Sequence, residues 1–403
     1  MPTENPQGLG VALLSGALKL LPAVLPVQAN LVNTVIAGGA VLASVAKPVA
    51  GRIQKSREPK VVLSDKDHFM NAFDRIVKEL VKDKEQHPKE LLDYLDEMCR
   101  YNIPFGKLNR GLAVIQGVRS MRPALLKDDE SFFRICALGW CIEFLQASFL
   151  VADDIMDESV TRRGQPCWYK LPGVQVKAVN DAMMLESLIF VVMKKYFNRH
   201  PKYVQLIELF HEMTYRTCKG QLWDMMTAPI GEVDLTKYTM ERYQHIVKYK
   251  TAYYTFYLPV ACALTMVGVE DSKQYKIAET ICCEMGEFFQ VQDDYLDCYA
   301  DAKVLGKVGT DIQDNKCGWL VCQALLIANK SQLEVIHEHY GRHCEESISK
   351  IKELYVELNL EEMYKKYEEE SYLKIKSLIE DKADRVSKGM YTWLLGKIYK
   401  REK

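Results

Sequence analysis

From Asp65 onward apolar positions recur at helical spacing almost without interruption, and no stretch alternates with the period of two that marks a strand. Ser64-Asp65-Lys66-Asp67 reads as a helix cap ahead of Phe69, Phe73, Ile76, Val77 and Leu80. His87-Pro88 interrupts the chain, and Leu91, Leu92, Leu95 and Met98 mark the next helix. Further helices are predicted at about 129–156, 178–198, 202–226, 237–267, 272–300 and 313–329, with shorter ones to the end. Pro172-Gly173, His200-Pro201, Pro229 and Gly268 punctuate them. The pattern predicts an all-α fold, a large single-domain helical bundle whose sites are built from side chains on facing helices.

Two places break the apolar pattern with acid. Asp153, Asp154 and Asp157 end the apolar run that begins near Glu143, and no Lys or Arg intervenes before Arg162 and Arg163. Residues four apart on a helix differ by only about 40° in rotation, so Asp153 and Asp157 share a face. Such carboxylates repel one another unless a cation sits among them. Hard oxygen ligands without His or Cys suit Mg²⁺, with Mn²⁺ or Co²⁺ as substitutes, and Mg²⁺ binds through one or two carboxylates plus substrate phosphates. One DDxxD cluster alone reads as a solvated helix end. Asp293, Asp294 and Asp297 repeat the spacing about 140 residues later, again after an apolar helical run. Two such clusters point to divalent ions around a strongly anionic ligand, as diphosphate chemistry requires.

Composition narrows the setting. At 403 residues, with 48% hydrophobic content, the chain can bury a large core as one unit. A net charge of −1 supplies no global field for nucleic acid, and no nucleic-acid partner is expected. Twelve cysteines without regular spacing fit free thiols better than a disulfide framework. Residues 1–60 differ from the rest: acid-poor, uncharged from Leu20 to Ala46, and ending in Arg52, Lys55 and Arg57. They are expected to be an N-terminal extension that acts as a mitochondrial presequence, the alternative being a cytosolic tail on a cytoplasmic protein. Membrane contact, if any, is expected only through this segment, whose prolines, glycines and amides weaken a spanning reading. The folded domain is expected over 61–403.

Several cations accompany the acidic clusters. Lys107 and Arg110 lie three apart at a helix start, where both charge and helix polarity favour an anion. Lys250-Thr251 precedes an aromatic run, Asp224 adds another carboxylate in an otherwise apolar helix, and Lys307 sits in a glycine-rich segment after the second cluster.

With both aspartate motifs and their surroundings in view, residues 65–403 resemble the trans-isoprenyl diphosphate synthases, in the insect-like wording of their farnesyl-forming members. The resemblance implies the isoprenoid synthase type of helical bundle with a central active-site cavity, and a homodimer. It implies head-to-tail (1′-4) condensation of isopentenyl diphosphate with dimethylallyl or geranyl diphosphate, giving farnesyl or geranyl diphosphate. By the same resemblance Asp153, Asp154, Asp157 and Asp293 bind Mg²⁺, with Asp294 and Asp297 acting through metal-bound water. Arg162, Lys250 and Lys307 contact the allylic diphosphate, with Asp224 and Gln290 as neighbours. Lys107, Arg110, Gln146 and Arg163 match the isopentenyl diphosphate site, which Arg401 helps close. The Lys250 carbonyl, Thr251 and Gln290 face the allylic cation, and the released diphosphate takes the proton.

The chain also departs from the family pattern. Two aromatics usually stand four and five positions before the first aspartate motif, forming the floor that stops the growing prenyl tail. Here Phe149 fills one position and Ser148 the other. Phe105 replaces a frequent glycine, Trp223 is bulkier than usual, and Glu402 interrupts a basic tail. These differences bear on product length, not on reaction class. A cyclising terpene synthase is the nearest alternative, but it has no use for the isopentenyl diphosphate cations present here. A non-catalytic helical partner of a synthase would have no need of two intact aspartate clusters.

Overall fold

The computed structural model describes residues 63–82, 86–229, 231–301, 309–385 and 387–401. The expected N-terminal extension, 1–60, lies outside them, as do Lys307 and Glu402. The described chain is helical almost throughout, as expected. Helix α1 (Asp65–Leu80) starts from a reciprocal capping box between Ser64 and Asp67. It is followed by α2 (Lys89–Asn102), α3 (Asn109–Met121) and α4 (Asp129–Met156).

Helix α4 is the axis of the bundle. It is apolar all round and long enough to cross a membrane, but most of it is buried among the other helices, which marks a core helix. It crosses α3 at two glycines. A Cβ on Gly111 would meet the Gly139 carbonyl oxygen at 3.0 Å, and one on Gly139 would meet the Gly111 oxygen at 2.6 Å. Phe69 stacks on Trp140 at 4.2 Å, and the Trp140 indole donates to the Phe69 carbonyl, which fixes α1 against the same helix. Around them stand α5 (Lys177–Phe197), α6 (Tyr203–Thr227), α8 (Leu258–Val267) and α9 (Ser272–Tyr299). A second hydrophobic cluster is built from α7 (Met240–Val247), the C-terminal part of α9, α10 (Trp319–Ile327), α11 (Lys330–His339), α12 (Glu345–Glu357) and the start of α13 (Leu360–Lys382). Helix α14 (Lys388–Ile398) returns to the first cluster.

Three differences from the sequence reading matter for the site. The helix expected at 237–267 is interrupted: between α7 and α8, Lys248–Tyr257 winds as a π segment. Its cause lies just beyond it. Pro259 has no N–H, and in an α register its ring would strike the Thr255 carbonyl, so the ladder widens ahead of it and Leu258 N–H bonds Tyr253 O instead. The helix expected at 313–329 begins only at Trp319, and 309–318 is a turn-rich segment tied down by the Tyr238 and Tyr340 hydroxyls. Lastly, a small antiparallel hairpin follows the first aspartate cluster, β1 (Thr161–Arg162) with β2 (Gln165–Pro166), turning at Arg163 (φ 54°) and Gly164 (φ 77°). Positive φ at both turn residues is the geometry that matches strand twist in a two-residue hairpin.

Candidate active site

A cavity of about 640 Å³ opens where the two hydrophobic clusters meet. Both aspartate motifs reach it. Asp153 and Asp157 enter from the end of α4, and Asp293 and Asp294 from the second half of α9. Gln146, Phe149, Arg162, Asp224, Lys250, Thr251 and Gln290 line the same wall, as expected.

The aspartates do not act as a uniform set. Asp153 accepts from Gln221 Nε2 at 3.2 Å and lies 3.6 Å from Lys250 Nζ. Burial opposes its ionisation, but Lys250, Lys316 and Arg162 together hold its carboxyl below the ordinary range. Asp157 caps α4 and accepts from Lys316 Nζ at 2.7 Å. Burial and the charge of Asp153 push the Asp157 carboxyl up despite that lysine. Asp154 points the other way. It is 3% exposed and accepts from the Arg162 guanidinium, with Nε at 2.9 Å, so the expected metal ligand is engaged by the hairpin arginine. Burial raises its pKa although Arg162 opposes the shift.

The second cluster divides similarly. Asp293 faces the cavity and accepts from Arg401 Nη2 at 2.8 Å, while the same guanidinium lies 3.9 Å over the Phe289 ring. Arg401 thus bridges the C-terminal end of the described chain to the second motif. Asp294 accepts from Gln290 Nε2 at 2.9 Å and from the Trp319 backbone N–H at 2.8 Å. Burial pushes its carboxyl up to about 7, against the pull of those donors. Asp297 is buried and accepts from the Asp311 N–H at 3.0 Å.

Lys250 comes from the π segment and is ion-paired with Asp224 at 2.7 Å. Burial would lower its pKa, but Asp224, Asp153 and Asp157 hold it up, so the ammonium stays charged. Thr251 Oγ1 donates to Gln290 Oε1 at 2.9 Å, completing a chain from Thr251 through Gln290 to Asp294. The segment is clamped between glycines. Gly220 of α6 packs on the Lys250 backbone and Gly286 of α9 on Ala252, where a Cβ would fall 2.2 Å from each neighbour.

A second basic group lies beside the first. Arg110 donates to Thr255 Oγ1 at 3.0 Å and lies 4.9 Å over the Tyr254 ring. Arg163, swung round by the hairpin, lies against Gly106. Burial lowers the Arg163 pKa, opposed by the carboxylate of Glu143. Lys107 is exposed ahead of α3 and does not line the cavity. Of the two floor positions, Phe149 lines the cavity and meets Tyr254 edge-on at 5.5 Å, whereas Ser148 is 5% exposed and off the wall.

Four groups carry parts of this geometry without having been given a role by sequence alone: Lys316, Gln221, Tyr254 and Glu143. Glu143, 3% exposed, accepts from the Gly111 N–H at 2.8 Å and ties α4 to the first turn of α3. A lysine after an Asp-Asn pair and a glutamine three residues before Asp224 carry no distinctive spacing; only the fold brings them to the aspartates.

The donor set of Asp153, Asp157 and Asp293 is entirely carboxylate oxygen, and each now faces a lysine or arginine head. These oxygens suit a hard divalent cation such as Mg²⁺. Among the described residues no three His, Cys, Asp or Glu side chains converge closely enough to hold an ion alone. Phosphate oxygens would have to complete the shell, and that is the usual way Mg²⁺ binds in phosphate-transfer sites.

The polyprenyl synthetase family model matches residues 92–358. The chain is 47% identical to the farnesyl pyrophosphate synthase of Gallus gallus over 351 residues, 87% of this chain and 96% of the relative. It is 48% identical to that of Rattus norvegicus over 341 residues, 84% of this chain and 97% of the relative. Among solved structures, a T. brucei farnesyl diphosphate synthase complexed with risedronate is 36% identical, with a TM-score of 0.79 over 84% of this chain and 100% of that one. By sequence and by fold, the chain belongs to the polyprenyl synthetase family.

Proposed function

We propose that the protein is a prenyltransferase that joins isopentenyl diphosphate head to tail to dimethylallyl and then geranyl diphosphate, giving farnesyl diphosphate. The observation that carries this reading is the pairing of two aspartate clusters around one cavity with a second basic group beside them, at Arg110 and Arg163. One diphosphate fits the aspartates and Lys250; the second basic group has a use only if a second diphosphate is bound. A cyclising terpene synthase would leave it idle.

The chain's own groups suit an ionising substrate. Asp153, Asp157 and Asp293 would hold Mg²⁺, which when bound with the allylic diphosphate supplies Lewis-acid stabilisation of the departing anion. Arg162, Lys250 and Lys316 add fixed positive charge beside that diphosphate. Thr251 commits its proton to Gln290, so its oxygen lone pairs are free to face positive charge developing on the allyl group. Phe149, Phe289 and Tyr254 give the cavity an apolar wall that keeps water from the cation. No protein base stands out beside these groups, and the released diphosphate is the natural acceptor for the proton.

Three further parts of the reading rest on the resemblance and the sequence: Mg²⁺ as the working ion, a homodimer, and delivery to the mitochondrion by residues 1–60. Omission of divalent metal, sedimentation, and imaging of a fluorescent fusion test them in turn. The condensation site itself is tested with Asp153→Ala, which should lower turnover by orders of magnitude with helical circular dichroism unchanged. Near-normal turnover would overturn the assignment.

A further inference from the structure

All twelve cysteines are free thiols, and Cys317 and Cys322 stand apart from the other ten. Their Sγ atoms are 3.7 Å apart, and both residues are buried, at 5% and 1% exposure. Helical geometry explains the meeting. Gly318 is the N-cap of α10, so Cys317 precedes the cap and Cys322 is the fourth helical residue. Those are the two positions that face each other in a hydrophobic staple, here filled by sulfur on both sides. Cys317 is one of the residues that line the cavity, so a small molecule entering there comes up against it.

We propose that Cys317 and Cys322 form a reversible, oxidisable dithiol whose closure to a disulfide shuts down the cavity. The reagent class is a hydroperoxide. Cys317 Sγ attacks the peroxide oxygen, giving a sulfenic acid and releasing an alcohol; the Cys322 thiol then attacks that sulfur, and water leaves as the S–S bond forms. Two thiols lose two electrons in total and the hydroperoxide gains them. Hydrogen bonding with Cys317 and burial both push the Cys322 thiol up, so it keeps its proton until it attacks, and that proton leaves with the sulfenic hydroxyl as water.

The consequence for the site follows from what the neighbours hold. Lys316 pairs with Asp157, and the Trp319 N–H bonds Asp294. Closing the sulfurs from 3.7 Å to the roughly 2 Å of a disulfide draws the two side chains together by rotation and pulls on the short segment that carries them. Upstream it cannot yield freely, because the Tyr238 and Tyr340 hydroxyls hold the Asn315 and Lys316 carbonyls, each at 2.6 Å. The pull therefore falls on contacts to both aspartate clusters.

The effect on turnover rests on the cavity being the reaction site; the cross-link itself does not, and the two are read separately. The full chain is treated with tert-butyl hydroperoxide, then mapped by non-reducing peptide mass spectrometry and assayed. The expected result is a Cys317–Cys322 linked peptide, a loss of turnover of about tenfold or more, and recovery with dithiothreitol. Cys322→Val, or Cys322→Ala if the first folds poorly, should keep its turnover after the same treatment. Finding Cys322 unlinked while Cys317 is a free thiol or a sulfinic acid would overturn the proposal. So would a linked pair with unchanged turnover, or a Cys322 variant inactivated as fast as the parent.

Discussion

The clamp on the π segment makes the sharpest prediction. Gly220 of α6 approaches the chain so closely that an added Cβ would lie 2.2 Å from Lys250 N, 2.5 Å from Tyr249 C and 2.6 Å from Lys250 Cα. All three atoms are backbone and cannot rotate away. Ordinary contact needs 3.4 Å or more, so Gly220→Ala must force α6 and the segment apart by roughly an ångström. Overpacking of this kind typically costs about 1–3 kcal/mol in stability. Its effect on chemistry should be larger, because Lys250 and Thr251 ride on one side of the contact and Gln221 and Asp224 on the other. Misplacing a reacting group by about 1 Å can cost about a hundredfold in rate. The assay is diphosphate release at saturating substrates, with thermal unfolding followed alongside. Gly396→Ala is the control: it is exposed in α14 with nothing within 4 Å of its Cβ, and helix propensity should favour alanine there by up to about 1 kcal/mol. A Gly220→Ala protein with kcat within about twofold of the parent would refute the claim that this contact positions Lys250.

Other substitutions separate the roles of neighbouring groups. Asp294 holds its proton to about 7 in the fold against an ordinary 3.8, so the native state binds the proton more tightly than the unfolded chain. The Asp294 contribution to metal-free stability should therefore fall as pH rises from about 4 to 7, by something on the order of 4 kcal/mol. Asp294→Asn should lose that slope, as urea unfolding at several pH values in chelator would show; an unchanged slope would contradict it. Tyr254→Phe removes a hydroxyl 3.2 Å from Arg110 and should raise KM for isopentenyl diphosphate up to about tenfold, leaving KM for geranyl diphosphate unchanged. Phe149→Ala removes a ring from the cavity wall and should lengthen the product, whereas Ser148→Phe, off that wall, should destabilise the fold by about 1–3 kcal/mol. Mass analysis of the prenyl diphosphates and thermal unfolding check this pair.

The sequence carried the helices and much of the site, for a physical reason: their signals are local. The unbroken apolar run of α4 could only be a buried helix, and aspartates ending such a run had to face a ligand or solvent. The repeated DDxxD spacing then placed both clusters at comparable helix positions. What remained hidden depends on contacts between distant segments. Pro259 was visible, but that it would widen the preceding ten residues into a π turn depends on α6 and α9 presenting Gly220 and Gly286 to them. Arg162 and Arg163 were legible as cations, yet the two-residue turn that sends one to Asp154 and the other towards Gly106 was not, because a hairpin this short has no alternating pattern. Lys316 reads as an ordinary polar loop residue until the fold sets it on Asp157 across 159 positions of chain.

The most direct test of the account is product identification. The full chain would be given Mg²⁺, isopentenyl diphosphate and either dimethylallyl or geranyl diphosphate, and the products resolved by mass. Consumption of isopentenyl diphosphate and accumulation of farnesyl diphosphate are the expected result. Release of a hydrocarbon or alcohol from geranyl diphosphate, with isopentenyl diphosphate untouched, would contradict it.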